Sequence, residues 1–349
     1  MVKFRVIDLF AGCGGLTQGF TDTGRFMPVA AVELDHVAAA TYAQNFGKHV
    51  HVGDIADWVG ETIPEAEVVV GGPPCQGFSA LGKQDSNDPR NTMWRHYVET
   101  LKRALPTFFV LENVPQFLKS AEFEAFQRET SKRGVLSQYE LEPFILNAAN
   151  YGAAQNRRRA VVIGRRRELT PIGAPPTTVG KTLADVFPDW LGSQVSVTEL
   201  PESVVDFGGF TVPGTFKARD LHFTRKPTEM SKARYRAIPA GGNRNDLPDH
   251  LLSPCWRKHK SGSGDVMGRL MWSKPSVTIR TEFFKPEKGR YLHPEEHRPI
   301  THAEAAFIQG FPESFLWCGN KTSIARQIGN AVPPPLAKAI AGHLAEHLG

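Results

Sequence analysis

A chain of 349 residues with 41% hydrophobic and 22% charged residues has the balance of a folded globular protein, not the low-hydrophobicity, high-charge signature of disorder. The length exceeds one average domain, which predicts a large domain carrying one smaller insertion or appendage. The formal charge of +5 suits a polyanionic partner, because Lys and Arg placed at phosphates release condensed counterions.

Short apolar, β-branched runs at residues 4–9, 29–32, 68–70, 108–111 and 160–163 read as strands. Their apolarity is continuous, which implies burial on both faces, as in a sheet covered by helices. Residues 36–46 and 92–105 read as helices between them, so residues 1–168 are expected to form a doubly wound α/β domain. From about residue 170 Pro and Gly become frequent, helical periodicity fades, and Arg, Lys and His are scattered among aromatics. Residues 169–290 are therefore expected to form a smaller, loop-rich unit. Residues 301–309 and 335–348 regain helical patterning, and residues 291–349 are expected to return to the first domain. No uninterrupted apolar run approaches about 18 residues, so no membrane partner is expected. Cys13, Cys75, Cys255 and Cys318 form no C-x-x-C pair, so neither a zinc site nor a disulfide framework is indicated and a reducing cytoplasm fits best.

Asp8-Leu9-Phe10-Ala11-Gly12-Cys13-Gly14-Gly15-Leu16 runs from a predicted strand into a predicted helix, where glycines permit a tight turn and close ligand approach. It lacks the Gly-Lys-Ser/Thr ending of a phosphate loop, and its spacing is not the dinucleotide G-x-G-x-x-G, so neither a triphosphate nor NAD is favoured. Glu33, at the end of the second strand, stands where an acid can accept from ribose hydroxyls. Asp54, at the end of a third candidate strand, could accept from an adenine amino group. Either carboxylate alone also reads as a helix cap or surface residue; the ordered set points to a nucleoside-containing cofactor.

Gly71-Gly72-Pro73-Pro74-Cys75-Gln76-Gly77-Phe78-Ser79 follows the strand at 68–70, which puts Cys75 on a loop at the carboxyl end of the sheet, where open α/β sheets bind ligands. Prolines fix that backbone and glycines leave room, which favours a working thiol over inert packing. Glu112, in Glu112-Asn113-Val114, occupies the corresponding end of the next strand and suits proton handling. In Gln155-Asn156-Arg157-Arg158-Arg159, strand-like alternation puts Gln155, Arg157 and Arg159 on one face, where they can stabilise negative charge, although a solvated basic turn is the plain alternative.

These blocks, with Arg298-Pro299-Ile300-Thr301, Gln309-Gly310-Phe311-Pro312 and Gln327-Ile328-Gly329-Asn330-Ala331-Val332-Pro333, occur in an order that resembles the DNA cytosine-5 methyltransferase family. The resemblance spans nearly the whole chain apart from its middle. It implies the Rossmann-like, doubly wound mixed sheet of S-adenosylmethionine-dependent methyltransferases, with residues 169–290 as a target-recognition domain. It also implies that the Cys75 thiolate adds to C6 of cytosine and makes C5 nucleophilic. Glu112 would contact ring N3 and the exocyclic amine, and Arg159, helped by Arg157, the O2 side. The residues around S-adenosyl-L-methionine would be Phe10, Ala11, Gly12, Cys13, Gly14, Gly15, Glu33, Leu34, Asp54, Ile55, Pro74, Met93, Asn330 and Val332. Leu34 departs from the aromatic that commonly stacks on adenine, and Met93 stands where Leu is frequent.

A cytosine within a duplex must be flipped into the pocket before a thiol can reach it. Residues 77–91 are expected to close over the substrate, with Arg90 on a phosphate, while Gln155 and Thr278 are further DNA-binding candidates. The expected partner is double-stranded DNA, bound by a monomer, with a cognate restriction endonuclease acting separately. A stand-alone bacterial or phage enzyme is the simplest setting. The alternatives are a transfer-RNA cytosine-5 methyltransferase on the same scaffold and a catalytically inactive DNA-binding relative; the basic insert favours DNA, and intact Cys75, Glu112 and Arg159 favour activity.

Overall fold

The apolar runs of the first half become the central strands of one sheet. The computed structural model describes residues 3–74, 93–192, 195, 199–258 and 264–349. Strands β1 (Phe4–Leu9), β2 (Phe26–Glu33), β3 (Val50–Val52), β4 (Val68–Gly71), β5 (Phe108–Asn113), β6 (Tyr139–Asn147) and β7 (Arg158–Arg166) follow the order β3-β2-β1-β4-β5-β7-β6. The first five pair in parallel, while β7 runs antiparallel to both β5 and β6. The sheet is thus the doubly wound mixed type expected.

Helices α1 (Gly15–Thr21), α2 (His36–Phe46), α3 (Ile55–Trp58), α4 (Met93–Ala104) and α5 (Ala121–Glu129) connect these strands. On one face Val6, Val68, Val70, Val110 and Val161 pack against Leu16 and Phe20 of α1 and against Leu336, Ile340 and Leu344. The last three lie on α10 (Pro334–His347), so the C-terminal helix packs on α1 and on this face of the sheet. On the other face Ile7, Leu9, Val69, Phe109 and Leu111 meet Trp58, Tyr97, Leu101 and Phe126. Each such fully buried side chain contributes about 1.5–3 kcal/mol, so both faces hold the strand ends rigidly.

The middle of the chain adds β8 (Val204–Phe207) and β9 (Phe210–Phe216), which with β10 (Trp317–Cys318) make a three-stranded antiparallel sheet, and the short helices α6 (Glu229–Ala237) and α7 (Pro254–Lys258). Beyond them lie α8 (His302–Gln309) and α9 (Lys321–Asn330). Leu183, Leu221, Phe223, Leu270, Ile279 and Phe283 share a core with Ile300, Phe307, Ile308, Trp317, Ile324 and Ile328, so packing runs across residue 290 without a break. Thr301 and Glu304 cap α8 reciprocally, and Glu304 also takes a two-pronged contact from Arg298 (2.7 and 2.9 Å). Among the described residues no helix is long and apolar enough to cross a membrane.

Candidate active site

The turn between β1 and α1 is built by backbone bonds: Ala11 N donates to Val32 O (3.0 Å) and Gly14 N to Ala11 O (2.9 Å). Phe10 and Gly12 both take left-handed backbone, with φ of 58° and 56°. For Phe10 that conformation is strained, and such strain concentrates at functional sites. A Cβ at Gly12 would meet nothing within 4 Å, whereas one at Gly15 would lie 2.4 Å from Val332 O. Gly12 therefore faces open space, and Gly15 lets the C-terminal block close the back of the turn.

The Glu33 carboxylate reaches over this turn, accepting Gly12 N through Oε2 (2.8 Å) and Asp35 N through Oε1 (2.8 Å). Burial pushes its pKa up, against these two bonds. Leu34 beside it is 71% exposed, an apolar surface open to a ligand. These residues fit a nucleoside-bearing cofactor: a cradle without side chain at Gly12, a fixed acid with lone pairs remaining, and exposed apolar cover. Asp54 does not end a strand; β3 stops at Val52, and Asp54 caps α3 by accepting Ala56 N (2.9 Å). Ile55 is buried in the core with Trp58, and Met93 packs partly buried against the same cluster. Cys13 is buried, its Sγ 3.8 Å from Gln327 O, and burial pushes its thiol pKa well up, which leaves it a packing residue.

Asp8 lies at the base of the turn, and its role depends on burial that the sequence block does not show. It has no exposed surface, accepts Thr17 Oγ1 at Oδ2 (2.7 Å), and its second oxygen has no partner among the described residues. Desolvation pushes its pKa up to about 7, opposed by the Thr17 bond. Thr17 Oγ1 also lies 3.2 Å from Tyr42 Oη.

Cys75 and Arg90 lie outside the described residues, as does the stretch at 77–91. The approach to Cys75 is described as far as Pro74, which is exposed. Asn113 Nδ2 donates to Pro73 O (3.0 Å), pinning that segment to the end of β5, and a Cβ at Gly72 would lie only 3.1 Å from Glu112 Oε2. Gly72 thus leaves the space that the Glu112 carboxylate fills. Arg159 Nε stands 2.9 Å from Glu112 Oε1, and both side chains are largely buried, at 16% and 11% exposure. Val161 is the register partner of Glu112 in the β5–β7 pair, so Arg159, two residues earlier on β7, shares its face.

The alternation at residues 155–159 is real, with Gln155 and Arg157 buried and Asn156 and Arg158 exposed, but two of its members are spent inside the protein. The Arg157 guanidinium donates to Ile279 O and Gly329 O, both at 3.0 Å, and is 3% exposed, so it fastens backbone segments and does not join Arg159. Burial, with repulsion from Arg159, lowers its pKa to about 9. Gln155, expected at DNA, has no exposed surface; its amide contacts Gln309 Oε1, donates to Ile308 O (3.3 Å) and accepts Ile279 N (3.2 Å). Gln309 passes the tie on to Ala331 O (3.1 Å), a role that only the tertiary packing reveals. Thr278 Oγ1 donates to Asn156 O (2.7 Å). These bonds hold Asn330, exposed, and Val332, buried, at the back of the cofactor turn. Among the described residues no group of His, Cys, Asp or Glu side chains is placed to hold a metal.

The pattern of the family of C-5 cytosine-specific DNA methylases matches residues 4–346. The type II methyltransferase M.XorII of Xanthomonas oryzae pv. oryzae is 34% identical, over 98% of this chain and 84% of that protein. M1.HphI of Haemophilus parahaemolyticus is 32% identical, over 96% and 85%. In fold, the chain is similar to a DNA modification methyltransferase encoded within an E. coli prophage, with a TM-score of 0.72, 24% identity and 99% of each chain covered. A family match over residues 4–346 and relatives above 30% identity over nearly the full length place this chain, with its glycine turn and Glu–Arg pair at one end of the sheet, in the C-5 cytosine-specific DNA methylase family.

Proposed function

We propose that this S-adenosylmethionine-dependent DNA cytosine-5 methyltransferase works through a Cys75 thiolate, with Glu112 and Arg159 gripping the base. The thiolate forms a bond to C6, ring electron density moves to C5, and C5 becomes the nucleophile. S-adenosylmethionine, held by the turn at 10–15, Glu33 and Leu34, supplies the methyl group. Loss of the C5 proton and elimination of the sulfur then restore the aromatic ring and the free thiol. Glu112 meets N3 and the exocyclic amine, and Arg159 both holds that carboxylate and faces O2, so charge developing on the ring is stabilised from two sides. The observation that carries this reading is the Glu112–Arg159 pair on the strand end that Asn113 ties to Pro73, two residues before Cys75.

The substrate is read as double-stranded DNA, flipped at the target cytosine and clamped by residues 77–91, Arg90 and the backbone region around Thr278. A bacterial restriction-modification setting, in the cytoplasm, with a separately acting endonuclease and a monomeric methyltransferase, completes the proposal; the similarity to type II methyltransferases supports it. Methyl-labelled S-adenosylmethionine offered with parallel duplex DNA and transfer RNA is the test. Label at C5 of a DNA cytosine is expected, and label confined to RNA would overturn the substrate assignment.

A further inference from the structure

The β8–β9 hairpin belongs to the insert whose basic residues are expected at the nucleic acid, yet its tip sits at the cofactor end of the sheet. Phe207 packs with the cluster of Ala11, Ala31, Tyr42 and Val50, which includes a residue of the cofactor turn itself. A Cβ on Gly208 would lie 3.4 Å from Val52 Cγ2. Val52 is the register partner of Glu33, so the two side chains leave the same face of the sheet, and Gly53 N donates to Glu33 O (3.0 Å). Past the tip, the Phe210 ring stacks on His36 with centroids 4.5 Å apart and planes 24° from parallel. His36 is the first residue of α2, directly after Glu33, Leu34 and Asp35. The hairpin tip therefore shares a cluster with Val52, the neighbour of Glu33, on one side and stacks on the end of the rim that follows Glu33 on the other.

We propose that this tip is a positioning element for cofactor binding: Phe207, packed on the cluster that Val52 also joins, and Phe210 on His36 hold the rim at residues 33–35. The proposal rests on the reading of Glu33 as the acid that takes the cofactor ribose. Glu33 is tied to Gly12 and Asp35 through bonds of 2.8 Å, and Asp35 caps α2 and pairs with Arg326 (2.7 Å), while Leu34 between them is mostly exposed, so the hairpin adds its contacts to a rim already held at both ends. Support from outside is supplied by a ring that is itself 47% exposed, and whose removal opens no large core cavity. The target-recognition insert thus contributes to both substrates, nucleic acid on its basic side and cofactor at its hairpin tip.

The test is calorimetric binding of S-adenosylhomocysteine to the full chain. Phe210→Ala is expected to raise Kd roughly three- to tenfold, the range one ring-on-ring contact spans, with His36→Ala moving it the same way and Phe210→Tyr restoring it. Turnover at saturating cofactor and the KM for DNA stay as in the wild type, so the defect appears as a KM effect for cofactor alone. Glu33→Gln serves as the reference. If it weakens binding while Phe210→Ala binds as tightly as the wild type, the hairpin proposal is overturned and the cofactor reading stands. If Glu33→Gln itself binds like the wild type, the reading beneath the proposal is overturned with it.

Discussion

Arg159 Nε lies 2.9 Å from Glu112 Oε1, diagonally across the antiparallel pair of β5 and β7 and on one face of the sheet. Two charges so placed act as a unit. Glu112→Gln and Arg159→Ala are each expected to lower kcat by about 10²–10⁴, the range for a positioned proton-handling or charge-stabilising group. Because each side chain also orients the other, the double variant should be barely slower than the worse single one. Steady-state kinetics of the four proteins checks this, and multiplicative losses would show that the pair works as two independent groups.

The glycines of the turn separate binding from packing. Gly12→Ala adds a methyl to open space at φ 56°, so a stability loss of about 1 kcal/mol is expected, together with a large loss of cofactor affinity. Gly15→Ala drives its Cβ to 2.4 Å from Val332 O, and overpacking of this kind costs about 1–3 kcal/mol. Thermal melts beside cofactor titrations should thus rank the variants in opposite order.

Asp8 gives a pH signature. Its folded pKa of about 7 exceeds the unfolded carboxylate value of about 3.9, so between these values the folded state holds a proton that the unfolded chain has released. Stability from this group falls as pH rises through that window and is level above it. Asp8→Asn should match the wild type near pH 4 and be the more stable protein at pH 8, by a few kcal/mol at most. Denaturant melts across pH check it; a constant difference between the two proteins would remove Asp8 as the titrating group.

Glu304 has the opposite sign. Burial raises its pKa, but the bonds and charge of Arg298 outweigh that and hold it below the ordinary carboxylate range. Its contribution is complete above the unfolded value near 4.3 and is lost as pH falls through the lowered folded value. Arg298→Met leaves a buried charge without its partner, an expected cost of about 3–5 kcal/mol at pH 7. That gap should narrow in acid.

Much of the first half was legible because its strands are buried on both faces and read as continuous apolar runs. β6, Tyr-Glu-Leu-Glu-Pro-Phe-Ile-Leu-Asn, escaped that rule: it is an edge strand with mixed polarity and an internal Pro143, which only an edge tolerates. Residue types at strand ends pointed to Glu112, Arg159, Glu33 and Gly12, since their chemistry is local to a turn or strand end. Arg157 and Gln155 misled because alternation shows that side chains point inward, not whether they meet substrate or carbonyls such as Ile279 O from a segment over a hundred residues away. The cap made by Asp54 was one of two open readings. The shared core across residue 290 and the hairpin at Phe210 depend on tertiary packing among irregular segments, where no period marks partners in advance.

The covalent step is the centre of the account, and a duplex bearing 5-fluorocytosine at the target measures it directly. Fluorine cannot leave as the C5 proton does, so the wild-type protein with S-adenosylmethionine should form a denaturant-resistant adduct with that duplex. Cys75→Ser should form none. An equal yield of trapped complex from Cys75→Ser would contradict the assignment of the nucleophile, and with it the mechanism built around Glu112 and Arg159.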